Sequence, residues 1–356
     1  MEAHATVTTS GGRSVLERSP LSRLPDRALR WGLAGLATAI LIIIIYFFAR
    51  LIGQSSTAFS HVGLLNFFTR SNWDVSQLQQ GAVCTTASNT GCTFGAWAFL
   101  LGSVITAGVA VVIGVPVAIA AALFINEVCP RRIRGPLTIL VDLLAAVPSV
   151  VYGLWGVFVL IPHLKGFQQS LADTFSFLPF VGGQVAGPSY FIAGLILAIM
   201  ILPIVSAISR EVIATVPPEH KEAALALGAT RWEMIRMAVL PYSRAGITGG
   251  VMLGLGRAIG ETIAVVLVIG GSPQLGHSIF AQGYTLAAVI ANEFGEAAST
   301  PVHRSALFAA GLVLFVLTLA VNILARRFVV RGERGQRSSG GGATVAPAPA
   351  PEAAPA

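Results

Sequence analysis

Two residues in this chain could do chemistry with an ion, and both stand in an apolar run. Between residues 245 and 270 the only ionisable side chains are Arg257 and Glu261. At about 1.5 Å rise per residue, a helix of that length crosses a hydrocarbon core of about 30 Å. Arg257 then sits near the middle, where insertion scales set the cost of an arginine at roughly 2.5–3.5 kcal/mol. Something must offset that cost. At about 100° per residue, Gly246, Gly250, Gly254, Arg257 and Glu261 project to one side of the helix. The glycines form a small-xxx-small row that lets another helix approach closely. The two charges, four residues apart, are expected to face protein and to pair along that side. Two readings follow. The pair is a structural lock between helices, or it is a charged station on the path of an anion, because intramembrane charges commonly line such paths.

The elements around this helix are of the same kind. The chain has 356 residues, of which 54% are hydrophobic and 11% charged, against about 25% charged in an average soluble domain. Five further apolar runs are long enough to span a bilayer, at 31–51, 97–123, 138–161, 189–209 and 306–325. The expected fold is an all-α integral membrane protein with six transmembrane helices. The first run follows about 30 mostly polar residues and exceeds the core of a signal peptide, about 7–15 residues, so it reads as a retained anchor.

The net charge of +7 is placed asymmetrically. With the N-terminus inside, cytoplasmic segments hold the basic clusters at 13–30, 131–134, 210–244 and 326–337, while outer segments carry only Arg70, Lys165 and Arg304. That bias places both termini in the cytoplasm and argues against a nucleic-acid surface. Of the three cysteines, Cys84 and Cys92 fall on the outer segment 53–96, where a disulfide is permitted. Cys129 reads as a free cytoplasmic thiol, and no metal-ligand spacing is present.

Residues 1–30 form a basic, unstructured N-terminal segment and 328–356 a tail of low complexity. Pro148 is expected to kink the third span and to turn Ser149 and Tyr152 toward the bundle. A packing kink alone is the alternative. The cytoplasmic link 210–244 contains a helical hairpin at 217–241. Pro217-Pro218 opens its first helix, Gly228 suits a left-handed C′ position, and Thr230 with Glu233 makes a capping box. Pro241 is expected to end its second helix. Such a knob suits docking into another protein; a short amphipathic pair on the membrane is the alternative. There is no G-x-x-x-x-G-K-[ST] phosphate loop, and neither Lys165 nor Lys221 follows a glycine. The chain is not expected to be an enzyme, and no cofactor is expected in it.

Residues 222–241 read Glu-Ala-Ala-Leu-Ala-Leu-Gly, then Ala-Thr-Arg-Trp-Glu, and close on Leu-Pro. This resembles the EAA loop of ABC importer permeases, with Ala238 where the pattern has isoleucine. The runs Gly-Arg-Ala-Ile-Gly-Glu-Thr at 256–262, Pro-Ser-Val-Val-Tyr-Gly at 148–153 and Leu-Pro-Ile-Val at 202–205 resemble PstC-type permeases of phosphate importers more closely. The resemblance covers residues 95–327. It implies a type I importer permease fold over 97–327, in a bacterial plasma membrane. It implies a phosphate pathway at Arg257, Glu261 and Thr262, with Ser149 and Tyr152. It implies ATPase coupling through Glu222, Ala223, Ala224, Gly228, Thr230 and Glu233. The implied partners are a PstA-like second permease subunit, two ATPase subunits that hydrolyse the ATP, and an extracytoplasmic phosphate-binding protein. Import of another oxyanion such as sulfate or molybdate is the main alternative, and a stand-alone ion-coupled transporter a more distant one.

Overall fold

The computed structural model describes residues 24–73, 94–178, 180–183, 185–297 and 300–340. Of the segments expected to be unstructured, 1–30 and 328–356, residues 1–23 and 341–356 lie outside the described residues, as does the Cys84–Cys92 pair, whereas 328–340 continue the last helix. The chain divides into two units, 1–53 and 54–356. The first unit is built on helix α1, Leu24–Val62, which begins within the segment expected to be unstructured and whose last residues belong to the second unit. Its apolar side chains are exposed on every side, Ile40, Ile43 and Tyr46 among them. A helix apolar all round is suited to lipid.

The second unit is helical, and its described residues contain no strand beyond two isolated bridges, Trp73–Phe94 and Gly270–Gly283. Its helices are α2 (Leu64–Thr69), α3 (Trp97–Leu123), α4 (Arg131–Ala146), α5 (Ser149–Trp155), α6 (Ile161–Thr174), α7 (Tyr190–Ala214), α8 (Pro218–Ala226), α9 (Arg231–Met234), α10 (Leu240–Gly260), α11 (Ile263–Ile269), α12 (Leu286–Ala297) and α13 (Pro301–Gly340). Among the described residues of the chain, five helical stretches, α1 included, are long and apolar enough to cross a membrane, or six when the bent pair α10–α11 counts as one span. The six-span expectation holds, with two corrections to where the spans lie.

Helix α7 is the centre and is buried along most of its length. It accepts α3 on one side at glycine contacts. A Cβ on Gly114 would lie 2.9 Å from the Ala198 carbonyl oxygen, and one on Gly194 would lie 2.5 Å from Val109. Helix α10 crosses α7 in the opposite direction along the expected row, with Gly246 against Val212, Gly250 against Ile208 and Gly254 against Val205. Without a hydrophobic force between helices in lipid, such backbone approach supplies the packing energy.

The first correction concerns the third span. It was expected at 138–161 with a kink; instead the helix breaks at Val147-Pro148, and the long apolar stretch is Ser149–Thr174. Pro148 has no N–H to offer the Leu144 carbonyl four residues back. The Tyr152 hydroxyl takes that role, donating to Leu144 O at 2.7 Å. The second correction is at Pro241. The helix does not end there but passes through a π-turn, Ile235–Val239, into α10, whose first turn places Pro241 where a missing N–H costs nothing.

Candidate functional site

The fifth span of the chain, which lies in the second unit, is not one helix. Helix α10 stops at Gly260, α11 starts at Ile263, and the two axes differ by 62°. Glu261 is extended, with φ −70° and ψ 131°. Thr262 is half-buried, and its hydroxyl donates to the Gly260 carbonyl at 3.2 Å. The break therefore falls between the two charges. The i,i+4 geometry that would pair Arg257 with Glu261 is lost, and no ion pair joins them among the described residues.

Arg257 also leaves the glycine face. The space beside α7 admits no side chain there, since even a Cβ on Gly254 would lie 2.8 Å from Val205. The arginine is exposed and lines a groove of about 1290 Å³ between α10 and α13. Gly249, Gly256 and Gly260 floor it and have nothing within 4 Å where a Cβ would stand. Glu261 reaches the same groove, and Leu319, Asn322 and Ile323 form its opposite wall. Asn322 was not singled out in the sequence. The signal was an amide inside the last apolar run, and it gains meaning only from facing Arg257 and Glu261. An open arginine, a carboxylate and an amide in one groove can hold an oxyanion by charge-assisted hydrogen bonds.

Of the other pathway residues, Tyr152 is buried and its hydroxyl is spent on Leu144. Ser149 is half-buried at the start of α5. Helix α5 packs on α11, with Gly153 against Ala264. Neither Ser149 nor Tyr152 lines the groove.

The hairpin has the expected local chemistry. Gly228 has φ +83°, and the bonds Gly228 N–H to Leu225 O (3.0 Å) and Ala229 N–H to Ala224 O (3.2 Å) close the first helix with a Schellman motif. Thr230 Oγ1 accepts from the Glu233 N–H at 3.3 Å, and the Glu233 carboxylate accepts from the Thr230 N–H and hydroxyl, each at 2.8 Å. Those bonds, the backbone one foremost, hold the Glu233 carboxyl below its ordinary value. Glu222, Ala223 and Gly228 are exposed, whereas Ala224 turns inward onto Met234, Ile235 and Val239. Leu227 at 90% exposure and Trp232 at 64% form an apolar tip.

Two polar clusters were not foreseen. At the helix ends beside the hairpin, Arg210 pairs with Asp142 at 2.5 Å and Lys221 with Glu127 at 2.6 Å. Elsewhere, Glu293 accepts from Trp73 Nε1 and meets His303 Nε2, both at 2.8 Å. Nearby, Asn292 bonds to the Tyr284 hydroxyl at 2.6 Å. Burial, helped by the Glu293 charge, raises the Tyr284 hydroxyl above its ordinary value.

The sequence profile described as "binding-protein-dependent transport system inner membrane component" matches residues 110–331. The chain belongs to that family. Among its relatives is the phosphate transport system permease protein PstC of Mesorhizobium japonicum, 47% identical over 67% of this chain and 74% of that protein. The PstC of Haemophilus influenzae is 41% identical over 75% and 81%, and PstC 2 of Mycobacterium tuberculosis 42% identical over 82% and 87%. Among solved structures, a bacterial alginate ABC transporter in complex with a periplasmic protein carrying alginate pentasaccharide covers 87% of this chain and 98% of its own. It has a TM-score of 0.56 and 20% identity, a likeness of fold. The architecture is that of the type I ABC importer permeases.

Proposed function

We propose that this chain is the membrane-spanning permease subunit of an ATP-driven importer of inorganic phosphate, lying in the bacterial plasma membrane with both termini cytoplasmic. The observation that carries the reading is the Arg257–Glu261 groove at a break in an apolar span. Transporters place substrate sites where a span is discontinuous near the midplane, and an arginine at that depth cannot be left facing hydrocarbon. The groove therefore needs a cover, which a second permease subunit supplies. The names of the 41–47% identical relatives point to phosphate as the cargo.

In this reading Arg257 makes a transient charge-assisted contact with the anion. Glu261, unpaired with it at rest, weakens capture so that the anion can leave. An extracytoplasmic binding protein delivers phosphate. Two ATPase subunits seat the hairpin around Glu222, Gly228 and the Leu227–Trp232 tip, and their closure rocks the helices between outward and inward access. The test is Arg257→Gln in the assembled importer. Uptake of labelled phosphate is lost while the ATPase and second permease subunits still co-purify. Normal uptake by that variant defeats the reading. Competition by sulfate and molybdate in the unmutated importer fixes the anion.

A further inference from the structure

The inner end of α3 closes on a wide π-turn, Phe124–Val128, a geometry that recurs at functional positions in helices. Consecutive helical side chains diverge by about 100°, so Asn126 and Glu127 leave this turn in different directions. Asn126 Nδ2 donates to the Arg210 carbonyl of α7 at 2.6 Å. Glu127 Oε1 accepts from Lys221 Nζ of α8 at 2.6 Å. The turn is also held from α4, where Arg134 donates to the carbonyls of Ile125, at 2.7 Å, and Asn126. Arg210 is in turn paired with Asp142 of α4.

We infer that the Asn126–Glu127 turn is the relay by which movement of the first hairpin helix reaches α3, and that Lys221–Glu127 is its coupling contact. The inference rests on the ATP-driven reading above. The hairpin has three connections to the membrane helices, the first of them the short link 215–217 by which α8 follows α7. Its second helix runs covalently through the π-turn into α10. Its first helix, α8, has no fully buried residue. Among the described residues, its one polar contact with α3 is Lys221–Glu127. Lys221 immediately precedes the exposed Glu222 of the docking motif. A push on α8 reaches α7 along the chain, and it enters α3 at Glu127, whose neighbour Asn126 holds the turn to α7. The Glu127 side chain is 9% exposed and that of Lys221 23%, so the pair is far less screened than a surface ion pair. Without it, α7 and α10 still follow the ATPase through the chain while α3 lags. Glu127 and Lys221 are positioning residues, and they touch no substrate.

The measurement is phosphate moved per ATP hydrolysed, in liposomes holding the full chain with its partner subunits. In Glu127→Gln the ATPase subunits stay bound and hydrolysis changes by no more than about twofold, while phosphate moved per ATP falls about tenfold, a coupling effect of ordinary size. Reversal of the pair, Glu127→Lys with Lys221→Glu, recovers most of the ratio. An unchanged ratio in Glu127→Gln, or a reversed pair no better than the single variant, overturns the relay. So does loss of the ATPase subunits from Glu127→Gln, which would make the pair part of the docking surface. If Glu127→Gln does not assemble, Lys221→Gln removes the same contact from the hairpin side and carries the same expectation. Uptake by the unmutated complex is the control. Its absence defeats the phosphate reading, whereas normal uptake there with an unchanged ratio in the variant defeats only the relay.

Discussion

The ion-pair knot beside the hairpin and the groove at the helix break use the same residue types to opposite ends. In the knot, Arg210 meets Asp142, Lys221 meets Glu127, and Arg134 meets two backbone carbonyls. In the groove, Arg257 and Glu261 stand on either side of a helix break, with no ion pair between them among the described residues. Satisfied charges fix helices to one another. Charges held apart in an open groove keep their capacity for a passing ligand, and the helix break at Glu261 keeps them apart. One nitrogen of the knot, Arg210 Nη1, is buried without a hydrogen-bond partner, so even the structural cluster is not fully satisfied.

The comparison breaks most visibly at Arg257, whose replacement by glutamine stops uptake without loosening the complex. The groove floor comes next. Gly249→Leu meets nothing within this chain, so the variant folds and inserts, but it loses the second permease subunit on purification. Retention of that subunit would mean that the groove is covered elsewhere. In the knot, Arg210→Met leaves Asp142 without its partner, which is half-exposed and partly rehydrates. The expected loss is about 1–3 kcal/mol of stability, read as a lower unfolding midpoint of the purified importer, with the apparent affinity for phosphate unchanged. Tyr152→Phe is smaller still. It removes one hydrogen bond at the Pro148 break, about 1 kcal/mol, and leaves the KM for phosphate at the wild-type value. A raised KM would mean that the Tyr152 hydroxyl takes part in the pathway.

The smallest effect concerns pH. The Glu233 carboxyl is depressed below its ordinary 4.5 in the folded hairpin, chiefly by the Thr230 N–H. A depressed carboxyl contributes its stabilisation above the unfolded value and loses it as pH falls through the folded one. Amide protection at the start of α9 is therefore expected to weaken below pH 4.5; Glu233→Gln removes that pH dependence, whereas Thr230→Ala keeps the backbone donor and removes only the smaller hydroxyl share.

Much of this was legible locally. The hairpin needed only Gly228, Thr230 and Glu233 at their spacing, because caps and turns are decided by bonds between near neighbours. The glycine row of α10 was legible because small residues four apart leave a groove whichever helix fills it. The third span was displaced because Pro148 does more than kink. It ends a helix, and Tyr152 closes the gap from a position whose role depends on the fold of the break. Asn322, Glu127 and Lys221 were passed over because each acquires its role from a residue far away in the chain.

Sequence alone determined that the protein is a helical membrane bundle, most of the runs that cross, and that a helical knob punctuates it, since apolar length and short-range capping set these. Tertiary structure decided that Arg257 and Glu261 are separated by a 62° bend and face an open groove. It also decided that the knob is tied to α3 by one partly buried ion pair. Where a long side chain points depends on the room its neighbours leave, and that room exists only once the helices have packed.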